Sequence, residues 1–576
     1  MRRIQQALKR NYFWLLGFIF GLLVFIQIYG IEPLRVTGDA WIYSGYIEND
    51  IAQHYTGWMF FRNSEWTFPL GKALNLGYPE GTNIAYTDSI PIVSIFFKIF
   101  RHFLPQTFQF FGLYIFLCFG FQGLMSSILV YEFTHDRAYA CISSLIFLFS
   151  SCMIDRAFRH TALASHWLIL AALCLYFWQE YDNKKSSFFW FLILNCITLG
   201  THPYLFMMVL PIFIAKEICV LHNNKKWKRF IYAILINAAG TLGFGWITGL
   251  FGSEKLSPDK GFGAYSLNLN GIINPTARHI SKWSLFMPQL PQLSTQNDGI
   301  YYLGLGILLG MILSILLFII RISRARFEKK LLSKEKADDH FTLNFMIILA
   351  VLYTLFAISN VVTWGNHVLL RIPVSDTLLK YINIFRSSGR FFFMPTYLIY
   401  LFTVVSIYQI GKNKLRMALI LILTIIQAVD ISPVLKTKHD YFSVRRTYSH
   451  EFDGWEKTAD YDSMVVFEPI RRTALDYWIA KNGMKTNAMF SAPIHYYAYY
   501  ERTTEDRKKI FETLNTGNEL NADTVYVFTD SFDFYFTSQS DFDSFLHKVK
   551  QNYRGKAEIN RLKLADKYYW VLMPDR

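Results

Sequence analysis

Charge is scarce in this chain: Asp, Glu, Lys and Arg make up 18% of its 576 residues, against 52% hydrophobic and 18% aromatic. That shortage excludes an ordinary soluble protein, because the apolar residues fall in runs of roughly 16 to 22, the length that crosses a bilayer as helix. Cysteine is rare too. All six (Cys118, Cys141, Cys152, Cys174, Cys196 and Cys219) lie in or at the edge of apolar segments, and the polar C-terminal region has none. Neither a disulfide framework nor a zinc-ligand spacing is present. The C-terminal region also lacks a Gly-rich phosphate fingerprint, GxGxxG or GxxxxGKS/T, and the chain has no internal repeat and no low-complexity segment.

The basic residues are placed between the apolar runs, so the formal charge of +15 sets topology and does not argue for a nucleic-acid partner. The first run, Tyr12 to Gly30, follows the basic stretch Met1 to Arg10. It is too long for a signal-peptide core and has no convincing small-residue cleavage site, which makes it an uncleaved anchor with a cytoplasmic amino end. The next apolar piece, Ile90 to Leu104, is short and carries Lys98, Arg101 and His102; whether it spans decides the side of every later loop. Taken as an interfacial or re-entrant helix, it leaves spans at Phe108–Val130, Ala138–Met153, Ala162–Trp178, Phe188–Gly200 and Tyr204–Val220. Further spans follow at Phe230–Leu250, Tyr301–Ile320, Phe341–Val361, Phe391–Ile410 and Met417–Val429. The cytoplasm then receives Arg137, Lys184 with Lys185, LHNNKKWKR, RISRARFEKKLLSKEK and GKNKLR, the most basic short loops, as the positive-inside rule requires.

The expected fold class is therefore a polytopic α-helical membrane protein of about eleven transmembrane helices plus interfacial helices. It would carry a C-terminal extracytoplasmic α/β domain and lie multi-pass in the plasma (inner) membrane among membrane lipids. Residues 1–430 form the transmembrane module, with the first outer loop at 31–106, and 431–576 form the tail. The tail alternates strand-like strings (SMVVFEP, DTVYVFT, KYYWVLMP) with helix-like ones (RRTALDYWIAKNG, ERTTEDRKKIFETLN, DFDSFLHKVKQNY), the pattern of an α/β layer.

Within the first loop, Asn49 to Pro91 is polar and aromatic, bracketed by Asp50 and Asp88. Ile47, Ile51, Tyr55 and Trp58 recur at helical spacing, with Asp50, Gln53, His54 and Gly57 on the other face. Such a helix would lie in the membrane interface with its carboxylate toward an aqueous cavity; a merely solvated polar face is the alternative.

The order of basic N-terminus, single span, large outer loop with an early Asp, and a second acidic position before a Ser-Ile-Pro helix resembles the GT-C glycosyltransferases. These include protein O-mannosyltransferases, oligosaccharyltransferases and aminoarabinose transferases. More closely, DIAQHYTGWMFFR, WTFPLG, YPEGTNIAYTDSIP, RHTALASHWLIL, YYLGLG and FRSSGRFFFMPTY resemble a bacterial family of GT-C membrane transferases. The similarity covers the membrane part of the chain and is weaker over the tail.

The resemblance implies a sugar donor carried on polyprenyl phosphate or diphosphate, an acidic first-loop residue as base or metal ligand, and a glycan, lipid or protein acceptor. That acidic role falls best on Asp50, with Asp39 competing and Asp88 as a second carboxylate at the lipid phosphate or a metal. His54 beside Asp50 is a conceivable ligand, but one His and one Asp do not fix a metal, and only some GT-C enzymes need a divalent ion. Single-displacement transfer needs a base for the acceptor hydroxyl and a cation for the departing phosphate. The cation candidates are Arg159, Arg386 and Arg390, because guanidinium matches phosphate oxygens in a fork. A helix starting soon after Met153 would bring Asp155, Arg159 and His166 within about 40° of each other and leave His160 off that stripe. Snorkelling at a span end is the bland reading of the same residues. His202, Tyr265, Ser266 and Asn268 are weaker candidates, and Asp298 suits hydrogen bonding to sugar.

Two other functions compete: a transporter or flippase for lipid-linked saccharides, and a non-catalytic envelope-assembly protein. The span centres are nearly free of charge, while ionisable groups gather at the outer ends, which favours the enzyme over coupled transport.

Overall fold

Each of the eleven apolar runs is helical in the computed structural model, but the helices differ in length. The structure describes residues 2–43, 50–181, 186–251, 261–277, 280–296, 298–327, 337–447, 452–467, 473–488, 508–529, 538–565 and 567–576. Among the described residues, five helices are long and apolar enough to cross a membrane: Phe111–Thr134, Pro203–Asn224, Trp227–Thr248, His340–Ile358 and Ser388–Tyr408. Asn413–Asp430 with Ser432–Phe442, bent by 60°, would make a sixth. The other apolar helices, among them Arg137–Leu148 and Phe188–Thr201, are shorter. The run expected over Ala138–Met153 shows why: the helix closes at Leu148 and a second one starts at Ser151. Twelve helical residues reach only about 18 Å.

Ile90 to Leu104 contains a helix of 9 residues, Pro91–Ile99, with Pro in its first turn. At about 14 Å it reaches less than half the hydrocarbon thickness, so it does not span.

The chain divides into two compact units. The first comprises Met1–Val36, Phe110–Phe244 and Lys260–Arg445; the second comprises Thr37–Gln109, Gly245–Asp259 and Arg446–Arg576. The first unit is a helical bundle. In it, the end of helix Asn413–Asp430 fixes the start of helix Leu305–Phe327. The buried Asp430 carboxylate accepts from Tyr302 Oη at 2.7 Å and from Leu305 N at 3.0 Å, and it also accepts from Ser284 Oγ. Gln427 Nε2 donates to Leu303 O at 2.9 Å while its Oε1 accepts from Ile307 N at 3.2 Å. Helix Leu305–Phe327 thus begins with its first amides satisfied, and the preceding segment Asp298–Gly304 is held in place.

The second unit is built on a five-stranded mixed sheet with spatial order Lys485–Thr486, Ser463–Val466, Thr524–Thr529, Lys567–Pro574, Ala557–Leu564. The first three strands run parallel and the last two are antiparallel to their neighbours. Phe467, Leu514, Phe528, Phe542, Val549 and Leu572 fill the core. The α/β alternation expected of the tail is present, with two strands, Lys485–Thr486 and Ala557–Leu564, added to those the sequence suggested.

From Thr37 on, the first loop belongs to this same unit, whereas the sequence groups 31–106 with the module 1–430. It lengthens the sheet edge: Thr486 N donates to Asn75 O at 2.8 Å and Tyr78 N to Thr486 O at 2.9 Å. Helix Asp50–Asn63 packs on helix Thr473–Lys481, and two loop amides satisfy carbonyls at that helix's carboxyl end. Asn63 Nδ2 donates to Ala480 O at 2.8 Å and Gln106 Nε2 to Lys481 O at 3.3 Å. The two-faced interfacial helix expected here is not what forms. Every residue from Ile51 to Arg62 is buried, and Gly57 lies so close to Thr87 and Ser89 that a Cβ would fall 2.3 Å from Thr87 Oγ1. Ile47, Lys184 and Lys185 lie outside the described residues.

Candidate functional site

The string SCMIDRAFRH turns sharply. Its helix ends at Arg156, and Phe158 takes a left-handed φ of 64°, so the charged residues at 155, 156 and 159 fall around a turn instead of along one helix. Asp155 and Arg159 still pair at 3.2 Å, but the expected stripe ending in His166 does not exist. His166 Nδ1 instead lies 2.7 Å from Tyr397 Oη, with its ring 4.5 Å from that of Phe393. His160, which the helical projection set aside, comes to 3.9 Å from Asp298 Oδ1.

Asp298 is the centre of this arrangement. Arg390 grips it with two bonds, Nε to Oδ2 at 2.9 Å and Nη2 to Oδ1 at 3.0 Å. Arg156, whose side chain is 0% exposed, adds Nη2 to Oδ2 at 3.2 Å, and its Nε is 3.7 Å from Asp155. Two glycines make this possible. A Cβ on Gly299 would fall 2.1 Å from Arg156 Nη2, and one on Gly389 would fall 2.2 Å from Tyr301 Oη. The FRSSGR segment is itself braced: Ser387 N donates to Tyr204 Oη at 2.9 Å and Gly389 N to Tyr265 O at 3.1 Å. Arg390 lies 4.8 Å over the Tyr204 ring.

Burial alone would raise the Asp298 carboxyl; the Arg390 and Arg156 guanidinium groups beside it override that and hold it well below the usual range. Burial pushes the His160 imidazole well below its ordinary value, so it stays neutral. Three guanidinium groups (Arg156, Arg159, Arg390) thus meet the carboxylates Asp155 and Asp298. Arg156 Nη1 and Tyr301 Oη, both buried, have no hydrogen-bond partner among the described residues. Buried guanidinium groups with an unmatched donor are chemically able to receive an anion.

The remaining candidates have other surroundings. His202 caps helix Pro203–Asn224, its Nδ1 accepting from Tyr204 N at 3.1 Å. Arg386 lies 5.4 Å over the Tyr265 ring. Ser266 and Asn268 bond to Gln296 at 2.9 Å each, which shapes the loop more than it offers a surface.

In the second unit, Asp39 is 8% exposed, and its Oδ2 accepts from Tyr477 Oη at 3.0 Å and Tyr55 Oη at 3.3 Å. Burial raises its carboxyl above the usual value, and the two tyrosine bonds offset part of that. Asp50 opens helix Asp50–Asn63 and is half-buried. Asp88, also half-buried, has a left-handed φ of 56° at the end of the short helix Ile84–Thr87. A ring nitrogen of His54 and a carboxylate oxygen of Asp88 lie within 4.8 Å of each other. Two ligands do not close a coordination sphere.

Sequence reasoning missed Arg156, Tyr301 and Tyr477, and set His160 aside. For Arg156 and His160 the signal was present, two more polar residues in IDRAFRH at the edge of an apolar run; for Tyr477 there was none.

A family model described as Domain of unknown function (DUF6311) matches residues 18–432, and one described as DUF6311 C-terminal domain matches residues 454–549. No curated protein matches the chain.

Proposed function

We propose that this chain, which belongs to the DUF6311 family, is a membrane glycosyltransferase of the GT-C kind. It would move a sugar from a polyprenyl-phosphate donor to a cell-envelope acceptor on the outer face of the plasma membrane. The observation that carries the reading is the pair of buried guanidinium groups, Arg156 and Arg390, converging on Asp298, with the unmatched donors Arg156 Nη1 and Tyr301 Oη beside them. Leaving-group phosphate is the charge that develops in such a transfer, and donors fixed in a water-poor site stabilise it most. Arg156 and Arg390 are the groups assigned to it, pre-oriented by Asp298.

In this reading about eleven helices embed the chain, counting the shorter apolar ones. The amino end is cytoplasmic, and the first loop and tail are extracytoplasmic. The acceptor hydroxyl is activated by a first-loop carboxylate. Asp50 and Asp88 are half-buried and so reachable; Asp39 is enclosed by two tyrosines, but its raised pKa brings it nearer to what a general base at neutral pH needs. A divalent ion, where one takes part, would fall to Asp88 and His54 with ligands from elsewhere; no step depends on it.

The test is sugar transfer by purified protein in lipid, comparing wild type with Asp50→Asn, Asp88→Asn, Asp39→Asn and Arg390→Lys. Transfer lost in one carboxylate variant and in Arg390→Lys supports the assignment. Transfer unchanged in all four removes it. Movement of a lipid-linked saccharide across the bilayer without transfer would favour the flippase.

A further inference from the structure

The segment between helix His340–Ile358 and the span starting at Ser388 is a hairpin, Val361–Trp364 paired with His367–Arg371, followed by helix Asp376–Ile382. Its first strand is docked: Thr363 is buried, its Oγ1 bonds to Gln296 and its carbonyl accepts from Leu269 N at 3.0 Å. The second strand is exposed at all five positions. Neighbouring residues of a strand point to opposite faces, so Leu369 (60% exposed) and Leu370 (53%) make both faces apolar. Trp364, Val368, Ile372, Leu378 and Tyr381 extend the patch.

We infer that this hairpin and helix lie in the headgroup region of the bilayer, with phospholipid as the occupant of the apolar surface. Three observations point there. First, the patch continues a lipid-like face: helix His340–Ile358, two residues before the hairpin, exposes Ile347, Ile348, Val351, Leu352 and Leu355. Both ends of the segment are thus tied to helices able to cross a membrane. Second, His367–Arg371 pairs with no strand but Val361–Trp364 among the described residues, so its outer edge presents unpaired backbone amides and carbonyls. Those groups are costly in hydrocarbon, which excludes the bilayer core, while the leucines disfavour water. The headgroup boundary satisfies both. Third, His367, Arg371 and Lys380 against the single acid Asp376 give the segment a basic balance suited to anionic headgroups, and Trp364 and Tyr381 are the side chains enriched at that depth. The inference depends on the chain being embedded in a membrane and not on its catalysing transfer.

The test places an environment-sensitive fluorophore on Leu369→Cys, Leu370→Cys or, at the exposed turn, Asn366→Cys. The full-length protein carries serine at its two half-buried native cysteines, Cys174 and Cys196, and sits in nanodiscs containing anionic lipid. Lipids bearing a nitroxide near the headgroup should quench the labels at 369 and 370 more than lipids bearing it at the chain end, with little quenching by aqueous iodide. Asn366 should be open to iodide. Stronger quenching by the chain-end nitroxide would overturn the depth. Full iodide access without nitroxide quenching would place the hairpin in water. Protection from both quenchers would mean that protein, a partner or a second copy, covers it. All three outcomes leave the transfer assay untouched, so failure here and failure of the enzyme reading are separable.

Discussion

Two aspartates, Asp298 in one unit and Asp39 in the other, differ in everything but their chemistry. Asp298 sits between two guanidinium groups that hold its carboxyl well below the usual range; Asp39 sits between two tyrosine hydroxyls, and burial moves it upward. The same desolvation acts on both. What differs is whether a formal charge or a dipole answers it. Asp298 is therefore held as an anion beside the cations it pairs with, whereas burial shifts Asp39 toward its protonated form.

The largest expected effect is at the cationic cluster. Arg390→Ala removes the fork from Asp298 and should lower stability by about 3–5 kcal/mol, the cost of stranding one member of a buried ion pair. Denaturant unfolding of the protein in detergent measures it, and a loss under about 1 kcal/mol would mean water already compensates Asp298. Asp298→Asn should destabilise strongly too, by leaving Arg156 and Arg390 without a counter-charge.

Asp39→Asn provides the contrast. Its hydrogen-bond partners are neutral hydroxyl groups and Lys481 acts on it only weakly, so the amide should cost within about 1 kcal/mol, and a loss comparable with Asp298→Asn would break the distinction. The pH dependence sharpens it further. The folded pKa of Asp39 is raised above the usual 3.8, so its contribution is full below the unfolded value and declines as pH rises through the folded one. Asp298 has the opposite sign: its contribution is present above the unfolded value and is lost only as pH falls through a folded value well below 3.8. Stability measured from about pH 4 to pH 7 should decline less in Asp39→Asn than in wild type, because the amide does not titrate.

The smallest effect is at Tyr477→Phe, which removes one bond to Asp39 and should cost about 0.5 kcal/mol, the low end for a single hydrogen bond. Because that bond lowers the Asp39 carboxyl, its loss should raise Asp39 further, visible as a steeper pH dependence in the same window. An unchanged profile would show that Tyr477 packs against the loop without tuning it.

The sequence made the helical segments legible, since long apolar runs with basic residues between them admit few other readings, and the strand and helix strings of the tail were legible by the same periodicities. What it hid were pairings across long separations. Asp298 and Arg390 were each flagged, but their fork joins residues 92 apart, and no spacing rule reports that. Arg156 was masked by a helical projection past a turn: the projection assumed the helix ran on to His166, while it ends at Arg156. The first loop was misjudged for a related reason. Its aromatic and polar faces resemble an interfacial helix when only the loop is considered, but the surface that buries them comes from Thr473–Lys481, some four hundred residues away.

The most direct measurement is sugar transfer in reconstituted membranes from a panel of polyprenyl-phosphate sugars, with wild type beside Arg156→Lys and Arg390→Lys. Lysine keeps the charge and loses the fork. The account predicts transfer by wild type and its near-complete loss in both folded variants. Folded wild-type protein that transfers no sugar from any donor, or variants that transfer as well as wild type, would contradict it.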